Sequence, residues 1–217
     1  MEPEFWLERW QDNRIGFHQA QTNRFLQRYQ DRLGGTGPIF VPLCGKSRDM
    51  VWLQERGREV VGIELSALAV ESFFAEAGLA VTGLACEPFY EYRASGFRLL
   101  VGDFFALTRA VLGSVGAVYD RAALIAMPPS FRARYAAHMA SLLDPGTPLL
   151  LVAPFSLKDR NTGPPFAVSA EEIEDIYGAH FAIERLECER ETVDQSPQLA
   201  DQGLLWREEA VYLLLRR

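Results

Sequence analysis

Residues 39–47 read Ile39-Phe40-Val41-Pro42-Leu43-Cys44-Gly45-Lys46-Ser47, a short apolar run followed by a loop. A continuous apolar run bounded by Pro and Gly is typical of a strand that is buried on both faces. A helical pattern begins at about Ser47, and Glu59-Val60-Val61-Gly62-Ile63 predicts a second strand. A strand, a helix and a second strand in this order indicate a parallel βαβ unit.

The same alternation of apolar runs and helical patterns continues along the chain. It predicts an α/β fold with a mostly parallel sheet and right-handed crossovers. Further strands are expected at residues 97–101, 115–119, 149–152, 183–188 and 210–215, and further helices after Ser66, over residues 130–143 and after the capping box that begins at Ser169. The first 35 residues, with the aromatic side chains Phe5, Trp6 and Trp10, predict an N-terminal helical extension.

The charge balance narrows the classes of partner. The 217 residues include 29 acidic and 22 basic side chains, which gives a formal net charge of −7 at pH 7 and an isoelectric point of about 5.1. A mildly acidic chain is a poor candidate for binding nucleic acid or an anionic membrane surface. The apolar runs are much shorter than the ~18 residues of a membrane span. We therefore expect no nucleic-acid or membrane partner. The length of 217 residues suits one domain, or at most two small ones.

The cysteines argue against a stapled or metal-bound structure. Cys44, Cys86 and Cys188 are odd in number and far apart, and the sequence contains no C-x-x-C. This pattern excludes a zinc ribbon and a disulfide framework, and we expect no metal site. It favours a reducing, cytoplasmic location. Cys44 is expected to be a small packing residue, not a nucleophile.

The loop after the first strand and the end of the second strand point to a cofactor. A P-loop requires glycine at position 40, where the chain has Phe40, and the dinucleotide fingerprint G-x-G-x-x-G is absent because Gly45 stands alone. Glu64 ends the second strand about 20 residues after Gly45, a spacing that suits hydrogen bonds to a ribose diol. The alternative interpretations are a plain strand–helix turn and a surface glutamate at a helix start.

Two more strand ends carry side chains with open interpretations. Asp103, Phe104 and Phe105 follow the third strand. Either this polar residue and the aromatic pair hold an adenine ring, or Asp103 caps a helix while Phe104 and Phe105 lie in the core. Arg121 follows Asp120 at the end of the fourth strand. It either binds an anion or forms an ion pair with Asp120, which would contribute little if solvated.

At this point the residues resemble the thiopurine S-methyltransferases, of the bacterial type. The motifs occur in family order over most of the chain and are specific only together. They are Trp6, Trp10, Gly16-Phe17-His18, Pro42-Leu43-Cys44-Gly45-Lys46-Ser47, Gly62-Ile63-Glu64-Leu65-Ser66, Gly102-Asp103-Phe104-Phe105, Tyr119-Asp120-Arg121-Ala122-Ala123-Leu124 and Gly163-Pro164-Pro165-Phe166.

The resemblance implies a Rossmann-like class I methyltransferase fold, a seven-stranded, mostly parallel sheet with an antiparallel last strand and helices on both faces. It implies a single methyltransferase domain over residues 1–217, with residues 1–35 as a cap over cofactor and substrate. It further implies binding of S-adenosylmethionine by Trp10, Leu43, Glu64, Phe104 and Arg121, with Phe104 near the adenine. Phe17 is implied in binding the acceptor, and Arg121 in stabilising the acceptor anion.

The implied activity is methyl transfer from S-adenosylmethionine to small aromatic or heterocyclic thiols such as thiopurines, with release of S-adenosylhomocysteine. Selenium and tellurium compounds are further candidate acceptors, and a role in detoxification and a monomeric state are expected. Residues 156–161 and 190–207 are expected on the acceptor side. The alternatives are a nicotinamide-dependent Rossmann oxidoreductase and a non-catalytic adenosine-binding module.

Overall fold

The computed structural model describes residues 3–156, 163–195 and 206–217. The expected acceptor-side segments lie partly outside the described residues, which omit 157–162 and 196–205. The chain divides into two units, Met1–Tyr119 and Asp120–Arg217, and each is described by itself. The extent of the domain and of its cap therefore stays a prediction. No helix in the described ranges is both long and apolar enough to cross a membrane.

The first unit is built on parallel strands. Strand β2 pairs with β1 on one side and with β5 on the other, and β1 also pairs with β6, all in parallel. The hairpin β3–β4 extends this arrangement through an antiparallel pairing of β4 with β5. The strand order is β3-β4-β5-β2-β1-β6. The strands are β1 (Ile39–Pro42), β2 (Val60–Glu64), β3 (Thr82–Cys86), β4 (Phe89–Ala94), β5 (Phe97–Val101) and β6 (Ala117–Arg121), the last of which ends in the second unit.

Helices connect these strands and precede them. Every residue of β1 and β2 is buried, as expected for central parallel strands with apolar sequence. Ser47, Ser66 and Asp103 each cap a helix start with a side-chain oxygen. The helices are α1 (Pro3–Gln11), α2 (Arg24–Tyr29), α3 (Arg48–Glu55), α4 (Ala67–Glu76) and α5 (Arg109–Leu112), with 3₁₀ helices at Gln30–Leu33 and Phe104–Ala106.

Over its described residues, the second unit has antiparallel strands and three helices. Strand β9 pairs with β7 on one side and with β8 on the other, both antiparallel. The register of β8 shifts between Arg185 and Glu187. Ser169 caps α8 by accepting the N–H of Glu172, as its capping-box sequence predicts. The elements are α6 (Ala123–Ala126), α7 (Pro129–Leu142), β7 (Pro148–Ser156), α8 (Ala170–Tyr177), β8 (Phe181–Thr192) and β9 (Trp206–Arg216).

The strand count differs from the expected seven, because nine strands occur within the described ranges. The hairpin β3–β4 was not predicted, since most of β3 is exposed and its sequence Thr-Gly-Leu-Ala-Cys has no apolar alternation. The fourth predicted strand, 115–119, lies two residues later, at Ala117–Arg121, so Asp120 and Arg121 belong to the strand itself. The predicted antiparallel last strand is confirmed by β9.

Candidate active site

The loop between β1 and α3 is tightly constrained. Leu43 and Gly45 have φ angles of +47° and +52°, and this left-handed conformation is unfavourable for a residue with a Cβ such as Leu43. The N–H of Cys44 donates to the carbonyl of Ile63 at 3.0 Å, which continues the pairing with β2 beyond the strand end. Ser47 accepts the N–H of Asp49 and starts α3. The loop is therefore held by hydrogen bonds at both of its ends.

Glu64, at the end of β2, holds this loop through a side-chain hydrogen bond. Its Oε2 accepts the N–H of Gly45 at 2.9 Å, and its Oε1 accepts the N–H of Ser66 at 3.0 Å. Burial raises the pKa of Glu64, while the backbone N–H groups of Ser66, Gly45 and Leu65 act in the opposite direction. A carboxylate has about four lone-pair sites. The two oxygens thus keep acceptor capacity for ligand hydroxyl groups, and the alternative of a surface glutamate is wrong because Glu64 is buried.

Cys44 belongs to the same loop, and its side chain packs next to Gly62 of β2. A Cβ at position 62 would lie 2.9 Å from Sγ of Cys44, so Gly62 is the residue that makes room for the thiol. Burial raises the pKa of the Cys44 thiol well above its ordinary value, and the nearby charge of Glu64 acts in the same direction. A thiol that resists ionisation is a poor nucleophile. The prediction that Cys44 is a packing residue agrees with this environment.

Trp10 lies against the loop from the N-terminal side. Its ring would come within 3.2 Å of a Cβ at position 45, so the absence of a side chain at Gly45 lets the indole approach the backbone. Phe17 contacts two indoles edge-on, with ring centroids 5.6 Å from Trp10 and 5.7 Å from Trp6. Phe17 is nevertheless 39% exposed, an unusual degree for so large an apolar side chain. It thus presents an aromatic surface next to Trp10.

Phe104 is placed through the end of β5. The N–H of Gly102 donates to the carbonyl of Glu64 at 2.9 Å, which ties the ends of β2 and β5 together. Asp103 then accepts the N–H of Phe105 at 2.9 Å and starts the short 3₁₀ helix, while Phe104 is only 6% exposed. These contacts match the capping alternative, in which Phe104 packs in the core. They leave the adenine role of Phe104 a prediction.

A buried carboxylate that the sequence analysis did not identify anchors the N-terminal segment. Asp49 in α3 accepts the hydroxyl of Tyr119 at 2.9 Å and the backbone N–H of Asn23 at 2.8 Å. Asn23 in turn caps α2 through its side-chain oxygen. The segment that follows Phe17 is therefore fastened to α3 and β6 by a polar cluster, not by apolar contacts alone.

Arg121 belongs to the second unit and is half-buried at the end of β6. The next residue, Ala122, has φ +65° and ψ +7°, a left-handed conformation that turns the chain into α6. The N–H of Ala122 donates to the carbonyl of Val152 at 3.2 Å. The carboxylate of Asp120, which one of the two alternatives paired with Arg121, accepts the hydroxyl of Tyr135 at 2.7 Å.

The α6 helix that follows Ala122 is reinforced by Arg132, a residue that the sequence analysis passed over. This side chain is 0% exposed. Its guanidinium donates to the carbonyls of Leu124 and Met127, and through Nη1 to the carbonyl of Ala167 and to Glu172. It therefore joins α6 to the start of α8. The available signal was spacing, since Arg132 lies on the helical stripe of Tyr135 and Met139.

The structure brings four of the predicted site residues to one place in the first unit. Leu43 and Glu64 belong to the constrained loop and its support, and Trp10 covers the loop with Phe17 beside it. Phe104 follows the end of β5, the strand next to β2. Arg121 belongs to the second unit. Among the residues that the structure describes, no group of three or more His, Cys, Asp or Glu side chains is arranged to hold a metal ion.

Comparisons with known proteins agree with this arrangement. The family model for thiopurine S-methyltransferase (TPMT) matches residues 1–217. The thiopurine S-methyltransferase of Nitrosospira multiformis is 43% identical over 220 residues, which cover 100% of this chain and 99% of that protein. The protein of the same name from Methylococcus capsulatus is 44% identical over 217 residues, covering 99% and 97%.

A solved structure shows the same fold at low sequence identity. It is the Burkholderia thailandensis 1,6-didemethyltoxoflavin-N1-methyltransferase with bound 1,6-didemethyltoxoflavin and S-adenosylhomocysteine, with a TM-score of 0.67 and 14% identity over 99% of this chain and 87% of that chain. The predicted fold of a class I methyltransferase is thereby confirmed. The full-length family match and relatives above 40% identity lead to one conclusion: the chain belongs to the thiopurine S-methyltransferase family, a family of methyltransferase enzymes.

Proposed function

We propose that this enzyme transfers a methyl group from S-adenosylmethionine to a small aromatic or heterocyclic thiol of the thiopurine type, with S-adenosylhomocysteine as the second product. One observation carries the proposal above the others. A buried carboxylate, Glu64, holds the N–H of Gly45 in a left-handed loop that lies directly under the ring of Trp10. This is an acceptor for ribose hydroxyls beside an aromatic cover, at the carboxyl edge of parallel strands.

The residues fit the cofactor by their chemistry. Glu64 would accept hydrogen bonds from the two ribose hydroxyls with its remaining lone pairs. The indole of Trp10 would attract a sulfonium by cation–π interaction and exclude water from it. Leu43, Phe104 and Arg121 complete the proposed binding set, with Phe104 on the adenine side. When bound, the cofactor supplies an activated methyl group on a positively charged sulfur.

The acceptor side requires little acid–base chemistry from the protein. The nucleophile is the thiolate, and aromatic thiols are acidic enough to ionise near neutral pH without a strong enzymic base. Arg121 would stabilise the anionic acceptor, and the exposed ring of Phe17 would hold its aromatic part. Alignment of donor and acceptor and exclusion of water then provide most of the rate enhancement.

The same chemistry extends the proposed acceptor class to selenium and tellurium compounds, whose anions are softer nucleophiles that form at lower pH than thiolates. A detoxifying role would follow from methylation of such acceptors. Three free cysteines support a reducing, cytoplasmic location. A monomer, with no metal, nucleic-acid or membrane partner, completes the proposal.

Isothermal titration with S-adenosylhomocysteine, followed in the same sample by methylation of a small aromatic thiol, tests the proposal. We expect stoichiometric binding and release of a methyl thioether. Binding without turnover of any thiol would favour the adenosine-binding module. Failure to bind S-adenosylhomocysteine, together with binding of a nicotinamide dinucleotide, would favour the oxidoreductase and would remove the assigned roles of Glu64 and Trp10.

A further inference from the structure

Asp120 precedes Arg121 in β6, and its carboxylate is enclosed within the second unit. The side chain is 0% exposed. Tyr135, in α7, donates its hydroxyl to Oδ2 at 2.7 Å. Within the part of the chain that the structure describes, Oδ1 has no hydrogen-bond partner. Burial of a carboxylate is unfavourable unless its hydrogen bonds compensate, so packing alone does not explain this residue.

The backbone next to Asp120 is in an unfavourable conformation. Ala122 is left-handed although it carries a Cβ, and such a conformation persists only where its surroundings hold it. The N–H of Ala122 is bound by Val152. The N–H of Ala123, one residue further, favours the ionised form of the Asp120 carboxylate and so acts on it from the start of α6. Arg121 lies between the fixed carboxylate and the fixed turn.

We propose that Asp120 is a positioning residue for Arg121: by accepting the hydroxyl of Tyr135 it fixes the end of β6 and the turn at Ala122, and with them the direction in which the guanidinium meets the methyl acceptor. The inference rests on the proposed function, in which Arg121 stabilises the acceptor anion. Small displacements of a group that orients a reactant reduce rates strongly.

The surroundings of Asp120 provide a matched pair of tyrosines. Burial raises the pKa of Asp120 to about 6, so at neutral pH the carboxylate is ionised and is a strong acceptor for Tyr135. Tyr177, the last residue of α8, is also buried, and the charge of Asp120 contributes to its raised pKa. Its hydroxyl has no hydrogen-bond partner among the described residues. Only one of the two phenols therefore restrains the carboxylate.

Tyr135→Phe removes the restraint and leaves the ring in place. We expect it to lower kcat/KM for a small aromatic thiol by about tenfold, equivalent to about 1.4 kcal/mol. The control Tyr177→Phe removes the other phenolic hydroxyl near the same carboxylate and is expected to leave kcat/KM within about twofold. Asp120→Asn keeps an acceptor oxygen and should retain most of the activity that Asp120→Ala loses.

A double-mutant cycle distinguishes positioning of Arg121 from general structural support. If Asp120 and Tyr135 act through Arg121, Tyr135→Phe has almost no further effect on kcat/KM in an Arg121→Ala background, measured with a radiolabelled methyl donor. Equal losses in both backgrounds, or full activity of Tyr135→Phe, would overturn the positioning role while leaving the proposed function intact. A fully active Arg121→Ala enzyme would overturn the proposed role of Arg121 and the positioning role with it.

Discussion

The hydroxyl of Tyr119 donates to Oδ2 of Asp49 across a distance of 2.9 Å, and both residues are buried. The other oxygen of the same carboxylate accepts the N–H of Asn23 at the start of α2. The carboxylate of Asp49 therefore links three parts of the chain, namely β6, α3 and the N-terminal segment that carries Trp10 and Phe17.

We expect Tyr119→Phe to lower the free energy of unfolding by about 1–3 kcal/mol, because the buried carboxylate of Asp49 loses a hydrogen-bond donor. Urea unfolding with an unchanged m-value would measure the loss. Tyr90→Phe is the control, since Tyr90 is an exposed tyrosine of β4, and its change should stay within about 0.5 kcal/mol. Equal effects of the two substitutions would remove the special role of Asp49.

Substitution of Glu64 tests the proposed ribose contact. We expect Glu64→Ala to weaken binding of S-adenosylhomocysteine by roughly 10- to 100-fold, the range for loss of hydrogen bonds to a charged group. Glu64→Gln, which keeps one acceptor oxygen, should have an intermediate effect. Calorimetry measures both, with Glu71→Ala as a control because Glu71 is an exposed carboxylate on α4. Unchanged affinity of the alanine variant would exclude the contact.

Substitution of Phe17 tests its proposed role in binding the acceptor, as distinct from the cofactor. We expect Phe17→Ala to raise KM for an aromatic thiol by about tenfold, near the upper limit of an aromatic pair contribution, with little change in affinity for S-adenosylhomocysteine. Steady-state kinetics with both substrates varied would show this. Leu84→Ala, at an exposed apolar position on β3, should change neither parameter. If Phe17→Ala changed only the affinity for the cofactor, the proposed role of Phe17 in binding the acceptor would be excluded.

Asp120 predicts a pH dependence of stability. Burial raises its pKa from the ordinary value of 3.8 to about 6. The folded protein therefore binds this proton more tightly than the unfolded chain does. The stabilisation of the fold by protonated Asp120 is complete below about pH 4 and is lost as the pH rises through 6. The full loss is on the order of 3 kcal/mol.

Asp120→Asn removes this titration. The difference in free energy of unfolding between the native chain and the Asn variant should shift in favour of the variant between pH 4.5 and about pH 8, as measured by urea unfolding at each pH. A difference that is constant over this range would show that Asp120 does not change its protonation on unfolding.

The central strands were predictable because a strand that is buried on both faces has a continuous apolar sequence, as in β1 and in the first four residues of β2. The hairpin Thr82–Ala94 was not, because its first strand is largely exposed and therefore lacks that pattern. Spacing led to the prediction that Glu64 belongs to a site. The hydrogen bond from the N–H of Gly45 to its Oε2 was not predictable, because it joins residues that are 19 positions apart in the chain.

Buried polar groups were the least predictable part. Asp49 and Arg132 have side chains that are usually exposed, and only their partners reveal why they are inside. Arg132 did share the spacing of Tyr135 and Met139, yet an arginine on an apolar stripe is compatible with a stem that lies along the surface and a charged group in water. Periodicity can be read from the sequence, but the hydrogen-bond partners of a buried polar side chain are known only from the folded structure.

The hydrogen bonds of Glu64 also bear on how a ligand is received. Both oxygens are immobilised by main-chain N–H groups whose own positions are set by β1, β2 and α4. The carboxylate therefore becomes ordered when the chain folds. A ligand then meets a rigid acceptor, and its binding costs the protein little additional conformational entropy. Preorganisation of this kind raises affinity by reducing the ordering cost of binding, and under the proposed function the ribose acceptor of the first unit is already in place before its ligand arrives.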